Sequence, residues 1–266
     1  MNSDCAFRIG RSHSVCQDYA VAGGGERPYV IVADGCSSSP DTDIGARLLA
    51  RIAERSLRAG ASELDLERIV RRAGKLAADL GLSPCCLDAT LLTATIRGDQ
   101  WHVLAAGDGV IAWQDRDGRV HVRAISYSGG YPEYPSYLTA PERGRSFDAL
   151  AENHAALCRL TLEPDGCVVT LPPVVPAPGG HLESGSVRDT TWIALLTDGA
   201  TSFVGRAGDG SSAALELPAV LAELLRFKCM QGVFVQRRLA RFSQQCATRG
   251  WFHQDDLALG AISFGA

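Results

Sequence analysis

Tyr29-Val30-Ile31-Val32-Ala33-Asp34-Gly35 is an apolar run that ends abruptly in a carboxylate and a glycine. Its β-branched residues and the turn that follows predict a buried strand, with Asp34 at the carboxyl end of that strand. Residues 192–199, Trp-Ile-Ala-Leu-Leu-Thr-Asp-Gly, repeat the design and give Asp198 the same position. A single Asp-Gly pair is typical of a turn, but no rule of turns requires the two stretches to agree. The agreement favours a shared acidic site.

Two stretches with helical spacing follow the first strand. Apolar residues recur from Ile44 to Leu57, and a second stripe runs from Leu66 to Leu80, with Ser62 as the expected N-cap. Two more helices are expected at 215–228 and 233–248. The last of them is basic through Arg237, Arg238 and Arg241, a pattern typical of a solvated face.

Between the helix pairs the apolar period changes to two. Strands are expected there at 88–95, 101–106, 110–113, 119–125, 157–162 and 167–171, and outside the helix pairs at 18–21 and 257–264. Residues 126–145 are rich in Gly, Pro and Tyr and predict an exposed loop or flap. The order of helix pair, strand meander and helix pair predicts an α+β fold in a single domain over residues 1–266.

Composition excludes several classes of function. A formal net charge of −4 over 266 residues gives no reason to expect binding to nucleic acid or to an anionic membrane. No apolar run approaches the ~20 residues needed to span a bilayer, and residues 1–5 lack the features of a signal peptide. Nine cysteines without a Cys-x-x-Cys pair favour reduced thiols, so we expect a cytoplasmic protein.

Five carboxylates stand at expected strand ends. They are Asp18, Asp34, Asp108, Asp198 and Asp255. Clustered aspartates repel one another, and hard divalent ions such as Mg²⁺ or Mn²⁺ offset that repulsion. Two such ions about 3.5–4 Å apart can activate a bridging hydroxide, which is a nucleophile for phosphate esters. The carboxylates alone therefore predict a dinuclear hydrolase.

Six short motifs stand in an order that resembles one family across essentially the whole chain. They are Gly-x-x-His-x-x-x-Gln-Asp at 10–18, Val-Ala-Asp-Gly at 32–35, Asp-Ala-Thr at 88–90, Ala-Gly-Asp-Gly at 106–109, Leu-Thr-Asp-Gly at 196–199 and Asp-Asp-Leu at 255–257. The set resembles the metal-dependent (PPM-type, protein phosphatase 2C-like) serine/threonine phosphatases, and among them the compact bacterial branch. The resemblance implies a four-layer α-β-β-α sandwich, with two antiparallel sheets flanked by helix pairs.

The resemblance also assigns metal ligands. It implies that Asp34 bridges two Mn²⁺ or Mg²⁺ ions, with the Gly35 carbonyl on one ion and Asp198 and Asp255 on the other. Asp18 would hold metal-bound water. Hydrolysis would be direct attack by the bridging hydroxide, without a phosphoenzyme.

Asp108 matches the position that binds a third, weaker ion in the family. The family's usual Ser-Arg after this aspartate is replaced here by Gly109-Val110.

The phosphate-binding position departs from the family pattern. Many members carry an arginine where this chain has His13, with Arg11 two residues earlier. His13 could bind phosphate as a cation or act as a general acid, and the alternative is a loop histidine bonded to a carbonyl. The histidine that often follows Asp-Gly in the family is Cys36 here.

The substrate class follows from the resemblance. It implies hydrolysis of phosphoserine and phosphothreonine in proteins, opposing a serine/threonine kinase, by a chain that we expect to be monomeric. One alternative is a catalytically weak regulatory or phosphoprotein-binding domain, favoured by the missing arginine. Another is a small-molecule phosphatase, for which the tyrosines of the 126–145 segment would control access.

Overall fold

The computed structural model of the protein describes residues 1–150, 154–176, 180–206 and 211–265. Its strands are Asn2–Arg8 (β1), Tyr19–Gly23 (β2), Tyr29–Ala33 (β3), Leu91–Arg97 (β4), Gln100–Ala106 (β5), Gly109–Asp115 (β6), Val120–Tyr127 (β7), Ala155–Leu162 (β8), Val168–Val174 (β9), His181–Ser186 (β10), Thr190–Leu196 (β11), Phe203–Arg206 (β12), Ser212–Ala214 (β13), Trp251–His253 (β14) and Leu257–Ser263 (β15). The α-helices are Thr42–Arg58 (α1), Leu66–Asp79 (α2), Pro141–Asp148 (α3), Leu217–Leu224 (α4) and Phe234–Arg249 (α5). Short 3₁₀ helices lie at Pro84–Leu87, Pro135–Thr139 and Asp198–Thr201.

Two antiparallel sheets form the centre of the molecule. The larger has the order β1-β15-β11-β6-β7-β8-β9, and the smaller has the order β10-β5-β4-β3-β2. A third, small sheet has the order β13-β12-β14. Side chains such as Val30 and Val32 from the smaller sheet pack with Ile193 and Leu195 from the larger one. The two large sheets therefore face each other as a sandwich.

A helix pair covers the outer face of each large sheet. Ile31 and Ala33 of β3 pack with α1 and α2, whereas Trp192 and Ala194 of β11 pack with α4 and α5. This arrangement confirms the predicted four-layer α-β-β-α sandwich. It also explains why the two decisive stretches are apolar at every position, because strands covered on both faces alternate between two cores rather than between core and water.

Several local predictions are corrected by the structure. The N-cap of α2 is Asp65, whose carboxylate accepts from Arg68 N over 2.9 Å, rather than Ser62. The segment predicted as an exposed loop at 126–145 contains the 3₁₀ turn Pro135–Thr139 and most of α3, and its Tyr134 is buried. Arg238, expected on a solvated face, is also buried, with 8% of its surface exposed.

All nine cysteines are free thiols. Among the described residues, no helix is long and apolar enough to cross a membrane.

Candidate metal and phosphate site

The pairing of the strands brings the predicted aspartates to one edge of the sandwich. Asp198 follows β11 and Asp255 precedes β15, and these antiparallel neighbours pair Leu196 with Leu259, so both carboxylates lie at the same end. The same logic applies to β2 and β3, where Tyr19 pairs with Ala33 and sets Asp18 opposite Asp34. The two pairs belong to facing sheets, and the sandwich closes them around one space.

Asp108 joins this edge through the turn between β5 and β6. Leu196 pairs with Val110 on β6, which places Asp108 beside Asp198. The charge of Asp198 contributes to raising the pKa of Asp108, as expected for neighbouring carboxylates.

Asp18 and Asp34 are the most strongly perturbed groups of the cluster. Burial raises the pKa of Asp34 well above its usual range, and the charges of Asp18, Asp198 and Asp108 raise it further. Burial also raises the pKa of Asp18, although Thr197 Oγ1 donates to Asp18 Oδ2 over 2.6 Å. The cluster therefore holds more negative charge than the protein alone can stabilise near neutral pH.

Two further carboxyl groups of the cluster, those of Asp108 and Asp198, have pKa values raised towards neutrality. Burial, with the charge of Asp198, raises the pKa of Asp108 to about 7. Burial, with the charge of Asp255, raises the pKa of Asp198 to about 6. Both groups would hold protons over part of the physiological range unless a cation replaced those protons.

Three oxygens of the cluster point to such a cation. Asp18 Oδ1, Asp108 Oδ1 and Asp198 Oδ1 are buried without a hydrogen-bond partner, a rare condition for carboxylate oxygens. Within the described ranges, no three His, Cys, Asp or Glu side chains are close enough to hold an ion by themselves. Mg²⁺ is usually bound by one or two carboxylates and completes its shell with water. The residues therefore fit a hard divalent cation that keeps part of its hydration.

Gly199 shows how tightly this edge is packed. A Cβ atom built on Gly199 would lie 1.7 Å from the backbone oxygen of Asp256. The absence of a side chain at this position lets the turn after β11 touch the turn before β15, which sets the spacing between Asp198 and Asp255.

His13 lies between two aspartates at the border of the cluster. Its Nε2 is 3.3 Å from Asp255 Oδ1 and its Nδ1 is 3.0 Å from Asp256 Oδ2. Burial lowers the pKa of His13, but the contact with Asp256 and the charges of Asp256, Asp255 and Asp198 outweigh this effect and raise it. The imidazolium form is therefore favoured beside the cluster.

Asp256 was given no role from the sequence, and the structure shows that it organises the loop before β2. Its two oxygens accept from Gly10 N over 2.7 Å and from Gln17 N over 2.6 Å. Both ends of the loop that carries His13 are thus fixed to one buried carboxylate. The trace of this role in the sequence is the acidic doublet at 255–256.

Arg11, the other predicted phosphate ligand, points elsewhere. Its guanidinium lies 4.4 Å from the centroid of the Phe252 ring, and its backbone N donates to His253 O over 3.1 Å. No described carboxylate lies within ion-pair distance of Arg11. Its role as a phosphate ligand stays a prediction, as does the contribution of the Gly35 carbonyl.

A second buried carboxylate was also missed. Asp88 accepts from Arg143 Nη1 and Nη2 over 2.8 and 2.7 Å, from Ser39 over 2.8 Å and from Ser136 over 2.9 Å. The backbone oxygen of Asp88 accepts from Cys36 N over 2.8 Å. Asp88 therefore ties the 3₁₀ turn and α3 to the loop that follows Asp34.

Tyr134 is the part of this segment that reaches the site. Burial raises the pKa of Tyr134 above its usual value, and its interaction with the Cys36 thiol and the charges of Asp34 and Asp108 raise it further. Tyr134 consequently borders the aspartate cluster as a neutral phenol.

Comparisons with known proteins agree with this geometry. A family model described as protein phosphatase 2C matches residues 9–242. The fold is similar to that of a bacterial serine phosphatase, at 10% identity and a TM-score of 0.56, covering 100% of this chain and 99% of the other. It is also similar to the serine/threonine phosphatase PstP/Ppp of Mycobacterium tuberculosis, at 13% identity and a TM-score of 0.55, with coverage of 100% and 99%. For the serine/threonine phosphatase Stp1 of Staphylococcus aureus, identity is 9%, the TM-score is 0.54 and coverage is 98% and 94%.

A sequence search of curated proteins finds no match. Structures of such low identity establish the fold alone, whereas the family model covers most of the sequence. Because that match includes four of the five strand-end aspartates and the strands that position them, the chain belongs to the protein phosphatase 2C family.

Proposed function

We propose that this chain is a metal-dependent phosphatase that hydrolyses phosphoserine and phosphothreonine monoesters in proteins. The observation that carries the proposal is the set of unpartnered, buried carboxylate oxygens at the edge where the two sheets meet. Membership of the protein phosphatase 2C family supports the reaction class. We further propose that residues 1–266 act as one monomeric domain and that the substrates are products of a serine/threonine kinase.

The aspartates are the proposed ligands of two Mn²⁺ or Mg²⁺ ions. Asp34 would contact both ions with help from the Gly35 carbonyl, Asp198 and Asp255 would complete one of the two sites, and Asp18 would orient water. Asp108 would serve a third, weaker ion. When bound, such ions lower the pKa of water and offset the charge of a phosphate group.

His13 is the proposed acid and phosphate-binding group. Asp256 fixes both ends of its loop and lies 3.0 Å from its Nδ1. Nε2, which lies 3.3 Å from Asp255 Oδ1, would contact a substrate oxygen in place of that carboxylate. An imidazolium can donate a proton to the departing seryl or threonyl oxygen or hold a phosphate oxygen. Arg11 would add a second cation only after leaving the face of Phe252.

The first experiment is hydrolysis of an aryl phosphate and of a phosphothreonine peptide by purified protein, with and without Mn²⁺. Asp34→Asn and Asp198→Asn should abolish metal-dependent turnover. Asp79→Asn removes an exposed carboxylate from the end of α2 and should leave turnover unchanged.

Other outcomes distinguish the alternatives. Turnover of sugar phosphates well above that of the peptide would indicate a small-molecule phosphatase. Absence of turnover in every metal by folded protein would contradict the enzyme and leave a phosphatase-like binding domain.

A further inference from the structure

A basic cavity lies between the end of α4 and the first half of α5. Its volume is about 370 Å³. Five of its lining residues are cationic: Arg226, Lys228, Arg237, Arg238 and Arg241. Because the formal net charge of the whole chain is −4, these five positive charges form a local basic patch.

Carboxylates do not balance these charges. No acidic side chain lines the cavity among the described residues. The nearest ion pair joins Arg226 Nη2 to Glu223 Oε1 over 3.8 Å, and the same oxygen lies 3.3 Å from Arg249 Nη2 outside the cavity. Lys228 and Arg241 form no ion pair within the described part of the chain. Among the described residues, Arg226 is therefore the only one of the five cavity cations with a carboxylate within ion-pair distance.

Arg238 is the strongest indication of a missing partner. Only 8% of its surface is exposed. Its hydrogen bonds go only to neutral acceptors, among them Leu224 O at 3.1 Å and Gln245 Oε1 at 2.9 Å. Its Nη1 has no hydrogen-bond partner in the described ranges. Burial lowers the pKa of Arg238, and the charges of Arg226 and Arg241 lower it further, although the nearby charge of Glu223 acts in the opposite direction. A buried guanidinium without an anion is costly, and a bound oxyanion would offset that cost.

Arg237 adds a second guanidinium held only by carbonyl groups. Its Nη2 donates to Gln231 O over 2.6 Å and to Cys229 O over 3.4 Å. These bonds orient the side chain at the cavity without neutralising its charge.

The cavity is remote from the aspartate cluster. Its loop is held to β1 by Asn2, whose Nδ2 donates to Met230 O and Gly232 O over 3.0 Å each. Asn2 pairs with Ser263 at the far end of β15, whereas Asp255 precedes the near end at Leu257. A strand rises about 3.3 Å per residue, so the two sites are separated by roughly 20 Å.

We propose that this cavity binds a phosphate-type oxyanion at a second site. A guanidinium group can bind two phosphate oxygens through two parallel N–H···O hydrogen bonds. The unpartnered Nη1 of Arg238, together with Lys228 and Arg241, which form no ion pair within the described part of the chain, can supply such donors. The phosphate is either free or carried on a phosphorylated protein segment. The proposal stands independently of the proposed hydrolysis, because it requires no metal and none of the aspartates.

The test is calorimetric titration of metal-free protein in EDTA with inorganic phosphate, with a phosphothreonine peptide and with the same peptide unphosphorylated. The pair Lys228→Gln and Arg241→Gln changes two exposed residues and leaves buried Arg238 in place. Since each removes a charge-assisted contact, binding of phosphate or phosphopeptide should weaken about tenfold or more. The matched control is Arg72→Gln with Lys75→Gln, which removes one arginine and one lysine from exposed positions of α2.

Tighter binding of the phosphopeptide than of phosphate would identify the carried group as the ligand, and equal affinities would identify the free anion. Three results would overturn the proposal: no saturable binding of either probe, equal weakening in both double variants, or binding that the Lys228/Arg241 pair does not change. Metal-dependent turnover of an aryl phosphate by the Lys228/Arg241 variant should equal that of the unmodified protein. That result would show an intact fold and would separate the second site from the hydrolytic one.

Discussion

Arg143 holds both carboxylate oxygens of Asp88, with Nη1 2.8 Å from Oδ1 and Nη2 2.7 Å from Oδ2. Asp88 is buried, whereas Arg143 on α3 keeps 30% of its side chain exposed. The fork-to-fork geometry gives the α3 segment a fixed position against the loop that follows Asp34. Tyr134, which borders the aspartates, belongs to the same segment and depends on this anchor.

Replacing Arg143 by alanine should leave the buried Asp88 carboxylate with only the two hydroxyl donors of Ser39 and Ser136. We expect the free energy of unfolding to fall by about 1–3 kcal/mol, because a buried charged acceptor loses its main partner. Urea unfolding measures this change. Arg145→Ala, an exposed neighbour on α3, should cost less than about 0.5 kcal/mol, and equal effects of the two substitutions would refute the anchor.

Asp256→Asn should loosen the loop that carries His13. The amide retains one acceptor oxygen, so Gly10 N and Gln17 N cannot both keep their bonds. We expect a loss of about 1–3 kcal/mol in the free energy of unfolding and faster amide hydrogen exchange over residues 10–17. Gln254→Ala, which removes only the exposed bond from Ser12 Oγ, is the control and should leave Gly10 and Gln17 protected. Unchanged exchange in Asp256→Asn would contradict the role assigned to Asp256.

The central strands could be predicted because burial on both faces leaves a direct mark on the sequence. β3 and residues 192–196 of β11 are apolar at every position, and an Asp-Gly pair follows β3 directly and β11 after Thr197. β1 could not be predicted, because it is a partly exposed edge strand and Asn2-Ser3-Asp4 shows no apolar alternation. Its partner β15 lies at the other end of the chain, and only the folded topology brings the two together.

The aspartate cluster could be anticipated from strand ends, whereas the contacts that support it could not. Arg143 is 55 residues from Asp88, and Asp256 is 246 residues from Gly10. No periodicity links residues at such separations, since their pairing depends on which loops meet at the sheet edge. The burial of Arg238 was missed for a similar reason, because a basic helix face looks the same in sequence whether it meets water or the end of α4.

Gly199→Ala should disrupt the site without adding a polar group or a charge. A Cβ at this position would overlap the backbone oxygen of Asp256, so the turns carrying Asp198 and Asp255 must separate. Overpacking of this kind costs about 1–3 kcal/mol or more, and we expect metal-dependent turnover to be lost. Gly24→Ala places its methyl group in open space and should be neutral in both measurements. Full activity of Gly199→Ala would show that the close contact does not set the ligand spacing.

The stability of the metal-free protein should depend on pH through the aspartate cluster. The pKa values of Asp108, about 7, and Asp198, about 6, lie above that of an unfolded aspartate, about 3.8. The folded state therefore binds more protons between about pH 4 and 7, and the resulting stabilisation, complete below pH 4, is lost as the pH rises through that window. In EDTA the midpoint of thermal unfolding should fall as the pH is raised from 5 to 8.

Two comparisons isolate the contribution of the cluster to this pH dependence. Asp108→Asn cannot ionise and should flatten the curve relative to the unmodified protein, whereas Asp79→Asn, at an exposed position, should not. Mg²⁺ or Mn²⁺ should restore stability mostly at the alkaline end, because a cation stabilises the ionised carboxylates that protons stabilise at the acidic end. If instead the metal-free midpoint is constant or rises with pH, the carboxylates do not carry the mutual repulsion that argues for a divalent ion at this edge.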